Sequence, residues 1–155
     1  MEKTNAVRLL ERLNLPFSLF EYQVDDSDVS AKAVAQKNGL DLDRVFKTLV
    51  LRGSSGSIFV CVIPGECTVD LKKAARAAGE KKAELIGVKE LLSLTGYIRG
   101  GCSPLCMKKE YPTYIDETCQ LYDRIYVSAG MRGLQLLISP EILIEVAHAH
   151  VADLV

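Results

Sequence analysis

Apolar residues recur along this chain at helical spacing in some stretches and by strand-like alternation in others. Ala6, Leu9, Leu10 and Leu13 share one face of a predicted helix over residues 5–13, with Thr4 as its N-cap and Pro16 blocking continuation. The aromatic-rich run 17–22 predicts a strand that leads into an acidic loop, Asp25-Asp26-Ser27-Asp28. Ser30 caps a second predicted helix that runs through Lys37, with Gly39 at the C′ position. Residues 41–44 then turn into a strand over 46–52, and Gly53-Ser54-Ser55-Gly56 predicts a hairpin to a strand over 58–63. Beyond Pro64-Gly65, Asp70 caps a helix over 71–78 that ends at Gly79. A short strand over 83–86, a helix over 88–94 closed by Gly96, and strands over 113–116, 124–128 and 134–138 follow, before Ser139-Pro140 opens a last helix toward Ala147.

Hairpin-linked strands with helices between some of them predict an α+β fold. Its sheet is expected to be mixed, mainly antiparallel and barrel-like, with flanking helices. A chain of 155 residues that is 48% hydrophobic and 25% charged has the size and balance of one domain over 1–155 with a real core. No repeat or linker interrupts it. Nineteen basic against 20 acidic residues leave a net charge of −1, so no global positive field draws the protein onto DNA or RNA. An RNA contact would have to be local, and the basic groups at Lys72, Lys73, Arg76, Lys81 and Lys82 and at Lys108 and Lys109 are its candidates, or else solvated helix faces. The start of the chain has no apolar signal-like region and no window reaches bilayer length, so a soluble, cytoplasmic protein without membrane partners is expected. Five cysteines without paired spacing read as reduced thiols, and with two histidines placed near the end of the chain no metal site or cofactor is expected.

The richest segment for chemistry is Thr95-Gly96-Tyr97-Ile98-Arg99-Gly100-Gly101-Cys102-Ser103-Pro104-Leu105. Its adjacent glycines either make a tight turn or leave backbone N–H groups bare for a ligand. Lys47 lies inside an apolar strand, on the face of Val45, Leu49 and Leu51 and opposite Phe46, Thr48 and Val50. Such an ammonium snorkels, lowers its pKa or meets an anion such as a carboxyl, a phosphate or a developing oxyanion. A second glycine turn, Gly130-Met131-Arg132-Gly133, is a bulged hairpin whose arginine either faces solvent or reaches a phosphate. Tyr22 either packs in the core or walls a pocket. Ser103 is not set in a Gly-x-Ser-x-Gly elbow, and neither it nor Cys102 has an evident base, so catalysis would rest on positioning and electrostatics.

Taken together, these segments resemble the YbaK family of Cys-tRNA(Pro) deacylases, relatives of the editing domain inserted in bacterial prolyl-tRNA synthetases. Fragments in matching order carry the resemblance from about residue 4 to 153: Lys3-Thr4-Asn5-Ala6, Val45-Phe46-Lys47-Thr48-Leu49, Leu71-Lys72-Lys73-Ala74-Ala75, Thr95-Gly96-Tyr97, Gly100-Gly101 with Ser103-Pro104-Leu105, Lys108-Lys109, and Ile125-Tyr126-Val127-Ser128 with Gly130, Arg132 and Gly133. The resemblance implies a barrel-like sheet with flanking helices and clearance of wrongly charged Cys-tRNA(Pro), with Cys-tRNA(Cys) as a second substrate. Lys47 is implied as the residue most tied to activity, with Gly100 and Gly101 offering N–H groups to the ester carbonyl. Tyr22 and Ser128 are implied as pocket residues, while Ser103, Pro104, Arg132 and Gly133 shape the pocket or touch substrate. The implied mechanism is substrate-assisted: the cysteine thiol attacks its own ester and leaves as a cyclic thioester. Aminoacyl-tRNA is the implied substrate, cleared in trans, and because near-neutral charge fits weak intrinsic RNA binding, a partner such as prolyl-tRNA synthetase is a candidate to deliver it.

Two positions depart from the family's usual pattern. Cys106 stands where glycine is common, and Met131 where lysine is common, which bears on amino-acid preference and tRNA affinity. Other readings of the same residues are a deacylase for another ester such as Ala-tRNA(Pro), a non-catalytic tRNA- or synthetase-binding module, and a thiol-dependent hydrolase using Cys102 or Cys106.

Overall fold

Apolar alternation in the two longest central strands organises the molecule. The computed structural model describes residues 3–155. In it β1 (Ser18–Glu21), β7 (Leu134–Ile138) and β6 (Ile125–Met131) form a three-stranded antiparallel sheet in the order β1-β7-β6. A second, five-stranded sheet runs β4-β2-β3-β5-β8, from β2 (Phe46–Gly53), β3 (Ile58–Pro64), β4 (Ala83–Leu85), β5 (Thr113–Asp116) and β8 (Ala149–Ala152). The β2/β3 and β2/β4 pairs are antiparallel, whereas β3/β5 and β5/β8 are parallel. The helices are α1 (Asn5–Arg12), α2 (Ala31–Asn38), α3 (Leu71–Ala78), α4 (Val88–Thr95) and α5 (Pro140–Ala147).

Alternation along β2 and β3 divides the core in two. Phe46, Val50, Val60 and Val62 join β6, β7 and α1 in the larger cluster, while Leu51, Phe59, Cys61 and Ile63 pack with Val69, Ala74 and Leu154 in the smaller. Both faces of β3 are therefore buried, which explains its unbroken apolar run.

The helix starts follow the sequence signals. Thr4 Oγ1 accepts from Val7 N, Ser30 Oγ from Ala33 N, Asp70 from Lys72 N and Lys73 N, and Ser139 Oγ from Ile142 N. Three differences from the sequence reading stand out. First, α1 buries Ala6, Val7 and Leu10, and Leu13 is 48% exposed, because the helix stops at Arg12 and Leu13 is its cap. Second, the C-terminal residues 149–152 add an eighth strand, held parallel to β5.

Third, the described residues form two sheets and no closed barrel. A single parallel bridge, Val45 to Tyr126, joins β6 to the start of β2, and β4 covers that edge of β2 only from Leu51 to Gly53. Between these contacts the edge of β2 stays open. Among the described residues no helix is long and apolar enough to cross a membrane.

Candidate active site

The open edge of β2 faces a cleft of about 430 Å³. Residues 45–50 form its base, α2 contributes Ala31 and Val34, and Leu85, Ile86, Gly87, Val88 and Leu91 form one wall. The opposite wall holds Tyr22, Arg99, Gly100, Cys102, Ser128 and Gln135. Val50 O accepts from Ile86 N, which directs the backbone groups of Val50 away from β3. Because directions alternate in an antiparallel ladder, the N–H and C=O of Thr48 point toward the same open edge.

Lys47 pairs with Ile63 across the ladder and shares the face of Leu49 and Leu51. It is half-buried, and among the described residues no carboxylate lies within 4.0 Å of its amine. Burial draws its ammonium below the ordinary lysine pKa, opposed in part by the nearby Cys67 sulfur. A cation held this way gains from an incoming anion or oxyanion.

The two glycine turns interlock behind this wall. Gly100 takes φ +85°, and a Cβ there would lie 2.8 Å from Val29 Cβ. Gly101 donates its N–H to Ile98 O at 2.9 Å and packs against the backbone of Met131 and Arg132. The sequence reading offered both amides to a ligand; the Gly101 amide is instead engaged inside its own turn, and of the pair only Gly100 borders the cleft.

Arg132 Nε donates to Arg99 O at 2.8 Å, and its guanidinium lies 3.5 Å from Asp26. It thereby ties the 97–101 loop to the β6–β7 turn and sits outside the cleft lining. Gly133 O accepts from Tyr22 N at 3.0 Å, fixing Tyr22 at the cleft. Ser128 Oγ accepts from Gly130 N at 3.1 Å and closes the bulge. Ser103 is fully buried, its Oγ accepting from Leu105 N at 3.2 Å, and Pro104 lines a different cavity beside Leu9 and Tyr111. Lys47, Gly100, Tyr22 and Ser128 are thus brought together at the cleft, Gly101, Arg132 and Gly133 lie behind its wall, and Ser103 and Pro104 are not brought to it.

Among the described residues the lining contains no Asp, Glu or His, and burial pushes the Cys102 thiol up to about 12, so it stays protonated at neutral pH. No cluster of three metal-ligating side chains occurs among the described residues. Sequence reasoning missed Arg99 and Gln135. Arg99 was signalled by its place directly before the glycine pair, and Gln135 by being the lone polar residue in Leu134-Gln135-Leu136-Leu137-Ile138.

Cys106, the first departure, has φ +61°, the left-handed backbone that favours glycine, and it lies outside the cleft. Its thiol therefore does not narrow the pocket. Met131, the second, is exposed and also outside the lining.

Comparison with known proteins agrees with this architecture. Residues 27–146 match the model of the aminoacyl-tRNA editing domain. EbsC of Enterococcus faecalis (strain ATCC 700802 / V583), named as a candidate Cys-tRNA(Pro)/Cys-tRNA(Cys) deacylase, is 44% identical over 153 residues, covering 99% of this chain and 93% of that protein. A crystal structure described as a candidate trans-editing enzyme for prolyl-tRNA synthetase superposes with a TM-score of 0.81 at 26% identity, over 99% of this chain and 98% of that one. The hypothetical protein APE2540 shares the fold, with a TM-score of 0.85 at 24% identity over 95% and 96% of the two chains. The resemblance read from the sequence is borne out.

Proposed function

This chain belongs to the aminoacyl-tRNA editing domain family, and from that membership we propose that it clears Cys-tRNA(Pro) in trans by breaking the ester between cysteine and the tRNA 3′ end. Cys-tRNA(Cys) is the second substrate of this reading, in line with the name given to the E. faecalis relative. The observation that carries it is a cleft whose lining, among the described residues, has a half-buried lysine but no carboxylate, imidazole or ionised thiol. Such a site suits a substrate that brings its own nucleophile.

The cysteinyl sulfur attacks the ester carbonyl carbon, forming the C–S bond as the C–O bond to the ribose breaks. The thiol proton ends on the departing 3′ oxygen, and cysteine leaves as a four-membered cyclic thioester. Lys47 and the Gly100 amide stabilise the negative charge that develops on the carbonyl oxygen. Positioning of well-oriented groups supplies on the order of 7–11 kcal/mol of such a barrier, and one oxyanion donor about 3–4 kcal/mol. Tyr22 and Ser128 shape the pocket, while Arg132, Gly133 and Gly101 hold its wall. A pocket alone separates side chains that differ by a methylene by only ~1–3 kcal/mol, so selectivity rests on substrate chemistry. With a net charge of −1 the protein has little field of its own for tRNA, and delivery by prolyl-tRNA synthetase completes the reading.

The test is a comparison of Cys, Ser and Ala esters on one tRNA(Pro). Rapid loss of cysteine with slow loss of serine and alanine is expected. Equal rates for alanine and cysteine would replace thiol attack by a positioned water.

A further inference from the structure

Two side-chain oxygens on residues that line the cleft, Thr48 Oγ1 and Gln135 Oε1, are buried and have no hydrogen-bond partner among the described residues. Gln135 is 6% exposed and is flanked by Leu134 and Leu136, both in the larger core cluster. Alternation along β7 turns its amide to the opposite face, toward the cleft. A buried acceptor left unpaired weakens the fold, and an apolar residue of the same size would avoid that loss. An unpaired pair in one cleft is accounted for by a ligand that donates to both.

Resting on the proposed function, the chemistry of the aminoacyl group identifies that donor. Its ester carbonyl is an acceptor, which matches Lys47, and its α-ammonium carries donors only. Among the described residues the lining has no carboxylate to take a cation, so neutral oxygens are the acceptors open to it. We propose that Gln135 Oε1, with Thr48 Oγ1, receives the substrate's α-ammonium and thereby turns the ester carbonyl toward Lys47. The enzyme then selects aminoacyl esters with a free amine and spares N-blocked ones such as peptidyl-tRNA. The amide orientation that presents oxygen to the cleft is the one this ligand selects.

The test uses the full chain with Cys-tRNA(Pro) and N-acetyl-Cys-tRNA(Pro), both of which keep the thiol. Single-turnover deacylation by the wild type is expected to favour the free amine at least tenfold, the scale of a hydrogen bond to a charged group. Gln135→Leu and Thr48→Val are each expected to slow the free-amine substrate about tenfold while leaving the acetylated one within twofold. Gln135→Glu, which keeps an acceptor, retains the preference, and with Thr48→Val it decides the matter should Gln135→Leu not fold. Equal slowing on both substrates, or an unchanged preference in these variants, overturns the proposal.

A binding arm separates this inference from the catalytic one. The non-hydrolysable 3′-cysteinylamido-3′-deoxyadenosine and its N-acetyl form are titrated into the wild type and Thr48→Val by NMR. A free-amine preference in the wild type that Thr48→Val loses supports the inference even in a protein that cleaves no ester. Absence of that preference in a protein that does cleave Cys-tRNA(Pro) overturns the inference and leaves the function standing.

Discussion

Gly101 lies directly against the backbone of Arg132: a Cβ on the glycine would stand 3.0 Å from Arg132 N and 3.0 Å from two backbone atoms of Met131. Arg132 in turn reaches back to Arg99 O, so the two glycine turns hold each other and keep Gly100 at the cleft. Backbone cannot yield as a flexible side chain does. Gly101→Ala is therefore expected to destabilise the fold by about 1–3 kcal/mol through overpacking and to lower deacylation by displacing the turn. Urea unfolding checks it, with Gly39→Ala as control: Gly39 has φ +66° but open space around it, so only the backbone penalty of about 1 kcal/mol is expected there, with activity intact.

The half-buried ammonium of Lys47 gives a pH signature. Its pKa is lowered by desolvation in the folded protein, so between that lowered value and the ordinary value of about 10.4 the unfolded chain binds more protons than the folded one. Stability contributed by this group therefore rises with pH through that window, and below the window the charged lysine weighs against the fold. Lys47→Met is expected to be more stable than the wild type at pH 7, with the gap closing as pH approaches 10. Urea midpoints at the two pH values measure it, and a gap that widens with pH would contradict the desolvation account.

Cys106 holds a left-handed backbone without the freedom of glycine. Cys106→Gly removes the Cβ conflict, worth about 1–2 kcal/mol, against about 0.5–1 kcal/mol of extra entropy in the unfolded chain. A net gain of up to about 1 kcal/mol is expected, read as a higher urea midpoint. Because the residue lies outside the cleft, the deacylation rate should stay within twofold.

Local signals carried most of the fold. Caps at Thr4, Ser30, Asp70 and Ser139 and glycine stops at Gly39, Gly79 and Gly96 bound helices where the sequence predicts them. Residues 149–152 were not legible as a strand, since Ala-His-Val-Ala has little alternation and its pairing with β5 is parallel and long-range. The α+β fold with mixed and antiparallel sheets is as expected, but its strands form two sheets rather than one barrel-like sheet for a related reason. Where one strand's edge is left uncovered depends on which distant partner reaches it, and here β4 and Tyr126 stop short of residues 46–49. Lys47 was legible because a lysine in an apolar strand demands an explanation. Gln135 was not singled out, because burial in the closed structure is what gives its unpaired oxygen meaning.

The most direct test of the central claim, that a desolvated lysine rather than a protein nucleophile drives ester cleavage, is the single-turnover deacylation rate of Cys-tRNA(Pro) by wild type, Lys47→Ala and Cys102→Ala. The account predicts a fall of about 10²–10³-fold for Lys47→Ala, the scale of losing an oxyanion donor, and a change within a few-fold for Cys102→Ala. A wild-type rate without the lysine, or loss of activity without the Cys102 thiol, would contradict it.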